Sequence, residues 1–138
     1  MKIAIVGSRT INDNADTRDI IYYFIISKIK LEDIECVISG GAIGVDKIAE
    51  SFAYSNQIAE TRIYIPQWNK YPGKSAAFHR NKKIISDADM IFIFWDGNNS
   101  SKGTLMNINI CKRMSKYHFV YNFNTQEEEY ETRKAKVQ

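Results

Sequence analysis

Ser39-Gly40-Gly41-Ala42-Ile43-Gly44-Val45-Asp46 is the stretch of this chain whose residue types and spacing best suit chemistry. A β-branched run, Val37-Ile38, leads into Ser-Gly-Gly, and a helical pattern follows at once. A parallel strand that turns through glycines into a helix leaves unpaired backbone N–H groups beside the positive end of the helix dipole. Such a turn holds phosphate. Gly40 and Gly41 permit positive φ and close approach of that group. Asp46, in the first helical turn, either complements the dipole or accepts ribose hydroxyls and orients the loop. The two commonest nucleotide motifs are excluded. A P-loop needs Lys-Ser/Thr after its last glycine, where this chain has Val45-Asp46. A dinucleotide fingerprint needs glycine in place of Ser39 and an acid after the next strand, which ends Ile65-Pro66-Gln67.

Two further loops carry similar chemistry. Gly7-Ser8-Arg9 follows the first apolar run, and Trp95-Asp96-Gly97 begins a polar loop that reaches Gly103-Thr104 at another helix start. The amides of Gly103 and Thr104 and the Thr104 hydroxyl suit an anion, and Thr104 equally suits a simple N-cap. Arg9 and Arg80 are the candidate phosphate forks, with Asn81 beside Arg80 on a helix. Trp95 and Trp68 are candidate stacking platforms for a base. His79 and His118 lack the spacing of a metal site or a triad, so no metal and no cofactor is expected. Cys36 and Cys111 have no CxxC neighbour and read as buried thiols in a reducing compartment.

The elements that must position these loops alternate. Strands are expected at 2–6, 35–38, 62–65, 89–94 and 117–121, and helices from Asp16 or Thr17 to about 30, to about 57, over 76–87 and from 103 or 104 to 116. Strand and helix in strict alternation predict an α/β fold, a doubly wound parallel sheet of about five strands in the order 3-2-1-4-5, helices on both faces. Ligands in such sheets sit beyond the carboxyl ends of the strands at the switch point, here between the first and fourth strands. Gly7-Ser8-Arg9, Ser39–Asp46 and Trp95–Thr104 all converge there.

Ile5-Val6-Gly7-Ser8-Arg9, Ser39–Asp46, Arg80-Asn81 before Ala88-Asp89, Phe94-Trp95-Asp96-Gly97 and Gly103-Thr104 together resemble the SLOG superfamily, named for the Smf/DprA and LOG proteins. The resemblance covers residues 2 to about 121 and is nearest to the small stand-alone YspA-like group of bacteria and mobile elements. It implies a Rossmann-like fold and a pocket for nucleotides or nucleotide-derived signals. The LOG branch implies phosphoribohydrolase chemistry, for which Arg80, or Asp96, would serve as catalytic residues. The branch's glutamate, however, falls at Asn107, which cannot stabilise an oxocarbenium-like centre or activate water. The DprA-like branch implies single-stranded DNA binding by a basic stripe with aromatics, here Lys70, Lys74, Arg80, Lys82 and Lys83 with Trp68 and Tyr71.

The 138 residues, 44% hydrophobic and 25% charged, describe one globular domain with a net charge of only +3. That small charge ranks nucleic acid as an unlikely partner. The leading expectation is therefore a domain that senses or sequesters an ADP-ribose-type or cyclic nucleotide. A nucleotide N-glycosidase comes second and single-stranded DNA binding third. A domain over 1–123 and a charged tail over 124–138 are expected. Ile20–Ile26, seven apolar residues in a row, calls for burial on two faces and hence a homo-oligomer. No apolar run approaches the roughly 18 residues of a membrane span, and a cytoplasmic location is expected.

Overall fold

The computed structural model describes residues 1–129. Its strands are β1 (Lys2–Gly7), β2 (Cys36–Ser39), β3 (Glu60–Ile63), β4 (Met90–Trp95), β5 (His118–Asn122) and β6 (Glu127–Glu128). The helices are α1 (Ala15–Ile26), α2 (Val45–Ser55), α3 (Ser75–Asp87) and α4 (Lys102–Arg113). One sheet runs β3-β2-β1-β4-β5-β6; the first five strands are parallel and β6 returns antiparallel onto β5. This is the doubly wound, Rossmann-like order read from the sequence, with one short strand added at its edge. β6 has no apolar alternation to announce it, since its residues are two glutamates that pair Tyr121 with Glu128 and Asn122 with Glu127. The tail expected from 124 falls partly here, and its basic run at 133–136 lies outside the described residues.

Alternation along the strands sorts the core into two layers. Ile3 and Ile5 of β1, Phe92 and Phe94 of β4 and Phe119 of β5 face α1 and α2. Ala4, Val6, Ile91, Ile93 and Val120 face Ile84 and Ile85 of α3 and Ile108 and Cys111 of α4. Phe24 of α1 is the hub of the aromatic layer, edge-on to Phe92, Phe94, Phe119 and Tyr121. Helix α1 is capped two residues before Asp16 and three before Thr17, by Asn14, whose Oδ1 accepts from the Thr17 N–H at 2.9 Å. Its apolar run is not equally distributed: Ile21, Phe24 and Ile25 are buried, and the outer face keeps Tyr23 (73% exposed) and Ile26 (48%). No helix among the described residues is long and apolar enough to cross a membrane.

A candidate nucleic-acid cleft at the switch point

Ser8 N–H donates to the Phe94 carbonyl at 2.9 Å, and a gap opens past the carboxyl ends of these strands. The gap is a cleft of about 430 Å³. Gly7, Ser8 and Arg9 line one side, Gly40 and Asp46 a second, Arg80 and Asn81 a third, and Gly103 and Thr104 a fourth. Nine of the residues singled out from the sequence therefore meet in one place. Ser39, Gly41, Gly44, Trp95, Asp96 and Gly97 do not line it. Lys74 of the expected basic stripe and Asn107 at the LOG glutamate position do line it, together with Thr10, Ala42, Ser100, Ser101 and Lys102.

The glycine loop differs from the simple phosphate turn. Helix α2 begins only at Val45, and Gly44 before it holds φ +77°, with an added Cβ 3.0 Å from the Ile11 carbonyl oxygen. Asp46 folds back so that its Oδ2 accepts from the Ala42 N–H at 3.0 Å. An amide of the loop is thus taken by the chain's own carboxylate. Arg80 closes the arrangement from α3, its Nη1 donating to the carbonyls of Gly40 at 2.8 Å and Tyr64 at 3.3 Å. Gly40 makes room for this: a Cβ there would stand 2.5 Å from Arg80 Nη1 and 2.9 Å from Asp46 Oδ2. Burial pushes the Asp46 carboxyl above its ordinary range, only partly offset by the Ala42 N–H and the Arg80 charge. Burial likewise pulls the Arg80 guanidinium down, against the pull of Asp46.

Asp96 sits behind the cleft as a brace between loops. It accepts from Thr10 Oγ1 at 2.5 Å, Ser101 Oγ at 2.6 Å and the Asn98 N–H at 2.9 Å. Burial raises its carboxyl, but these hydrogen bonds together hold it below the usual carboxylate range. Trp95 is half-buried against the α3–α4 layer, and its Nε1 donates to the Asn98 carbonyl at 3.0 Å. It does not line the cleft. Gly97, at φ +81°, serves the turn of this same loop.

The charges of the cleft are unbalanced. Arg9, Lys74, Arg80 and Lys102 line it against the single carboxylate of Asp46. None of the ion pairs among the described residues involves Arg9, Lys74 or Lys102. Arg80 also borders a second groove of about 220 Å³ lined by Tyr64, Ile65, Tyr71, His79 and Lys83. There Tyr71 stacks on His79 with ring centroids 3.9 Å apart. Trp68, 63% exposed, lies on the loop that leads into this groove but does not line it. Lys70 is over the Tyr71 ring at 5.3 Å, while Lys82 points to solvent outside both grooves.

A doubly wound sheet with a basic cleft at its switch point defines a broad class of anion-binding α/β proteins. Within it, the family model for DNA recombination-mediator protein A matches residues 1–67, just under half of the chain. That match spans β1 through β3 and so includes the Gly7-Ser8-Arg9 and glycine loops. Among solved structures, DNA processing protein A from Helicobacter pylori, studied for its single-stranded DNA binding mode, aligns with a TM-score of 0.59. The identity is 20%, over 100% of this chain and 74% of that one, a likeness of fold. No curated protein matches the chain.

These findings correct the ligand expected from the sequence. The matching family model is that of the DNA recombination mediator, which overturns the assignment to stand-alone YspA-like SLOG proteins and to nucleotide-signal sensing or sequestration. It overturns the phosphoribohydrolase alternative as well, and the ranking of nucleic acid as an unlikely partner. The physical reason for the misranking is averaging. A net charge of +3 over the whole chain conceals a cleft where four cations face one carboxylate.

Proposed function

We propose that this protein binds single-stranded DNA, with the strand's phosphates held at the switch-point cleft. The observation that carries the proposal is the set of unpaired cations Arg9, Lys74 and Lys102 around a cleft that also receives Arg80. A polyanion releases counterions on meeting such a site, which supplies binding free energy without reading sequence. The family match and the named relative's single-stranded DNA binding support the same ligand. The adjoining groove, with Tyr71, His79 and Lys83, continues the basic and aromatic surface past Arg80, as a flexible strand requires. Gly7, Ser8, Gly40, Gly103 and Thr104 would form the walls, while Ser39, Gly41, Gly44, Asp96 and Gly97 would shape the loops behind them. Residues 1–123 would make up the binding domain. The buried thiols of Cys36 and Cys111 fit the reducing cytoplasm.

Fluorescence anisotropy of a labelled oligo(dT) across a salt series tests the proposal. Three to four phosphate contacts predict that log K falls against log salt with a slope of roughly −2 to −3. Absence of binding at low salt, or affinity indifferent to salt, overturns it.

A further inference from the structure

The two faces of the sheet carry opposite charge. On one, α1 and α2 bear Asp16, Asp19, Asp46 and Glu50 against Arg18 and Lys47. On the other, α3 and α4 add Lys82, Lys83, Lys112 and Arg113 to the Arg80 and Lys102 of the cleft. The one carboxylate on those two helices is Asp87, which Lys2 and Arg62 already hold. A helix surface that meets only water interleaves the two signs, because opposite charges a turn apart attract and like charges repel. Lys82, Lys112 and Arg113 have no acidic residue within four positions on either side. All three are exposed, and none belongs to an ion pair among the described residues.

The helix dipole accounts for little of this. It favours a cation in the last turn of α4, but Lys82 stands in the middle of α3. The end of α3 is served by Lys116, whose Nζ donates to the carbonyls of Ala88 at 2.7 Å and Ser86 at 3.2 Å.

The same cations lie along one seam. Helices α3 and α4 pack side by side, and both start at the cleft and run toward the opposite ends of the strands. Along their junction Asn81 Nδ2 approaches Met106 Sδ at 3.7 Å, and the Ser86 hydroxyl approaches Met114 Sδ at 3.9 Å. Lys82 stands one turn from Ser86 on α3, and Arg113 two turns beyond Met106 on α4, so the two flank the junction. Met106 and Met114 are half-buried there. Polarisable apolar surface between rows of cations suits a single strand, which has bases to rest and phosphates to neutralise.

We propose that the seam between α3 and α4 is a second contact surface for the same strand, which leaves the cleft between Lys74 and Lys102 and runs down the outside of the two helices past Lys82 to Lys112 and Arg113. The proposal rests on the single-stranded DNA reading. From Lys102 to Arg113 the axis of α4 advances roughly 16 Å, room for about three to five further phosphates. The acidic α1–α2 face repels the strand, so its course is confined to one side of the sheet.

A pentamer and a dodecamer of dT separate the seam from the cleft. Each is titrated by anisotropy across a salt series, with stoichiometry read by native mass spectrometry. The pentamer, whose four phosphates the cleft accommodates, gives the slope of the cleft alone. The dodecamer should bind one to one with a slope steeper by about 2, since each of three further cations adds about 0.7. Replacing Lys82, Lys112 and Arg113 together by alanine should return the dodecamer to the pentamer's slope and weaken it about tenfold at low salt. Pentamer binding should stay within about twofold, which also shows that the fold is intact. Arg18→Ala with Lys47→Ala, on the opposite face, should leave both slopes unchanged. Equal slopes for the two lengths overturn the proposal and leave DNA binding standing. So does a triple variant that weakens both lengths alike, a loss of the same size from the opposite-face variant, or two proteins on each dodecamer. Failure of both oligomers to bind at low salt overturns the DNA reading together with the proposal.

Discussion

At the start of β1, Asp87 accepts from Lys2 Nζ at 2.9 Å, from Arg62 Nη1 at 3.0 and 2.9 Å and from the Tyr64 hydroxyl at 2.9 Å. Arg62 reaches Glu60 as well. At the opposite end of the same strands, Arg9, Lys74 and Lys102 surround the cleft without an ion pair among the described residues. Both ends collect charge, but the first is balanced internally and serves the fold, tying β1, β3 and α3 together. The second leaves its balance to a ligand. Paired charges and unpaired charges of the same residue types thus separate structure from function more clearly than composition does.

The contrast can be broken by mutation, beginning at the cleft. Replacing Arg9, Lys74 and Lys102 together by alanine should lower oligo(dT) affinity on the order of 100-fold at low salt and flatten the salt slope by about 2. The same variant should keep its urea midpoint, since removing exposed like charges with no partner changes folding stability by less than about 0.5 kcal/mol.

Asp87→Asn should do the reverse. Burial works against the Asp87 carboxylate, but the hydrogen bonds from Lys2, Arg62 and Tyr64 win and bring it from 3.8 to about 2. A carboxylate lowered on folding stabilises the native state above its unfolded pKa and loses that contribution as pH falls through the folded one. The variant should therefore be less stable than the parent by about 1 kcal/mol at neutral pH, after allowing for solvent around the cluster. Urea unfolding should show this gap closing between about pH 4 and about pH 2, with oligo(dT) affinity at neutral pH untouched. The smallest change is expected for Asp46→Asn, which keeps an acceptor for the Ala42 N–H and removes the cleft's one carboxylate. Binding should tighten about threefold at low salt, and the gain should vanish as salt screens it.

The strands and their order were legible because each is a short apolar run bounded by a turn or helical pattern. β6 was not, since a pair of glutamates joining an edge strand through its backbone carries no hydrophobic signal. In the site, the convergence of Gly7-Ser8-Arg9, Gly40 and Gly103-Thr104 followed from topology alone. What escaped was how polar side chains spend their hydrogen bonds: Asp46 turning onto its own loop and Asp96 bracing Thr10 and Ser101. Lys102 escaped, and Lys74 was read only as one member of a surface stripe, for another reason. Lysines on separate loops become a site only when the fold sets them around one opening. Asn107 Oδ1 of the cleft, buried without a hydrogen-bond partner among the described residues, is visible only once its surroundings are known, because an amide in a helix is unremarkable in sequence.

Among the described residues β3 borders the sheet and pairs on one side only, with β2. An open strand edge that ends in exposed Ile63 and is followed by exposed Ile65 is the kind of template on which protein chains polymerise. Here the strand is four residues long, carries the linked charges of Glu60 and Arg62, and is followed shortly by Pro66, which has no N–H to offer. The edge is thereby blunted against sheet extension. A protein built to meet a long polymer at one end of its strands is guarded against becoming one along their side.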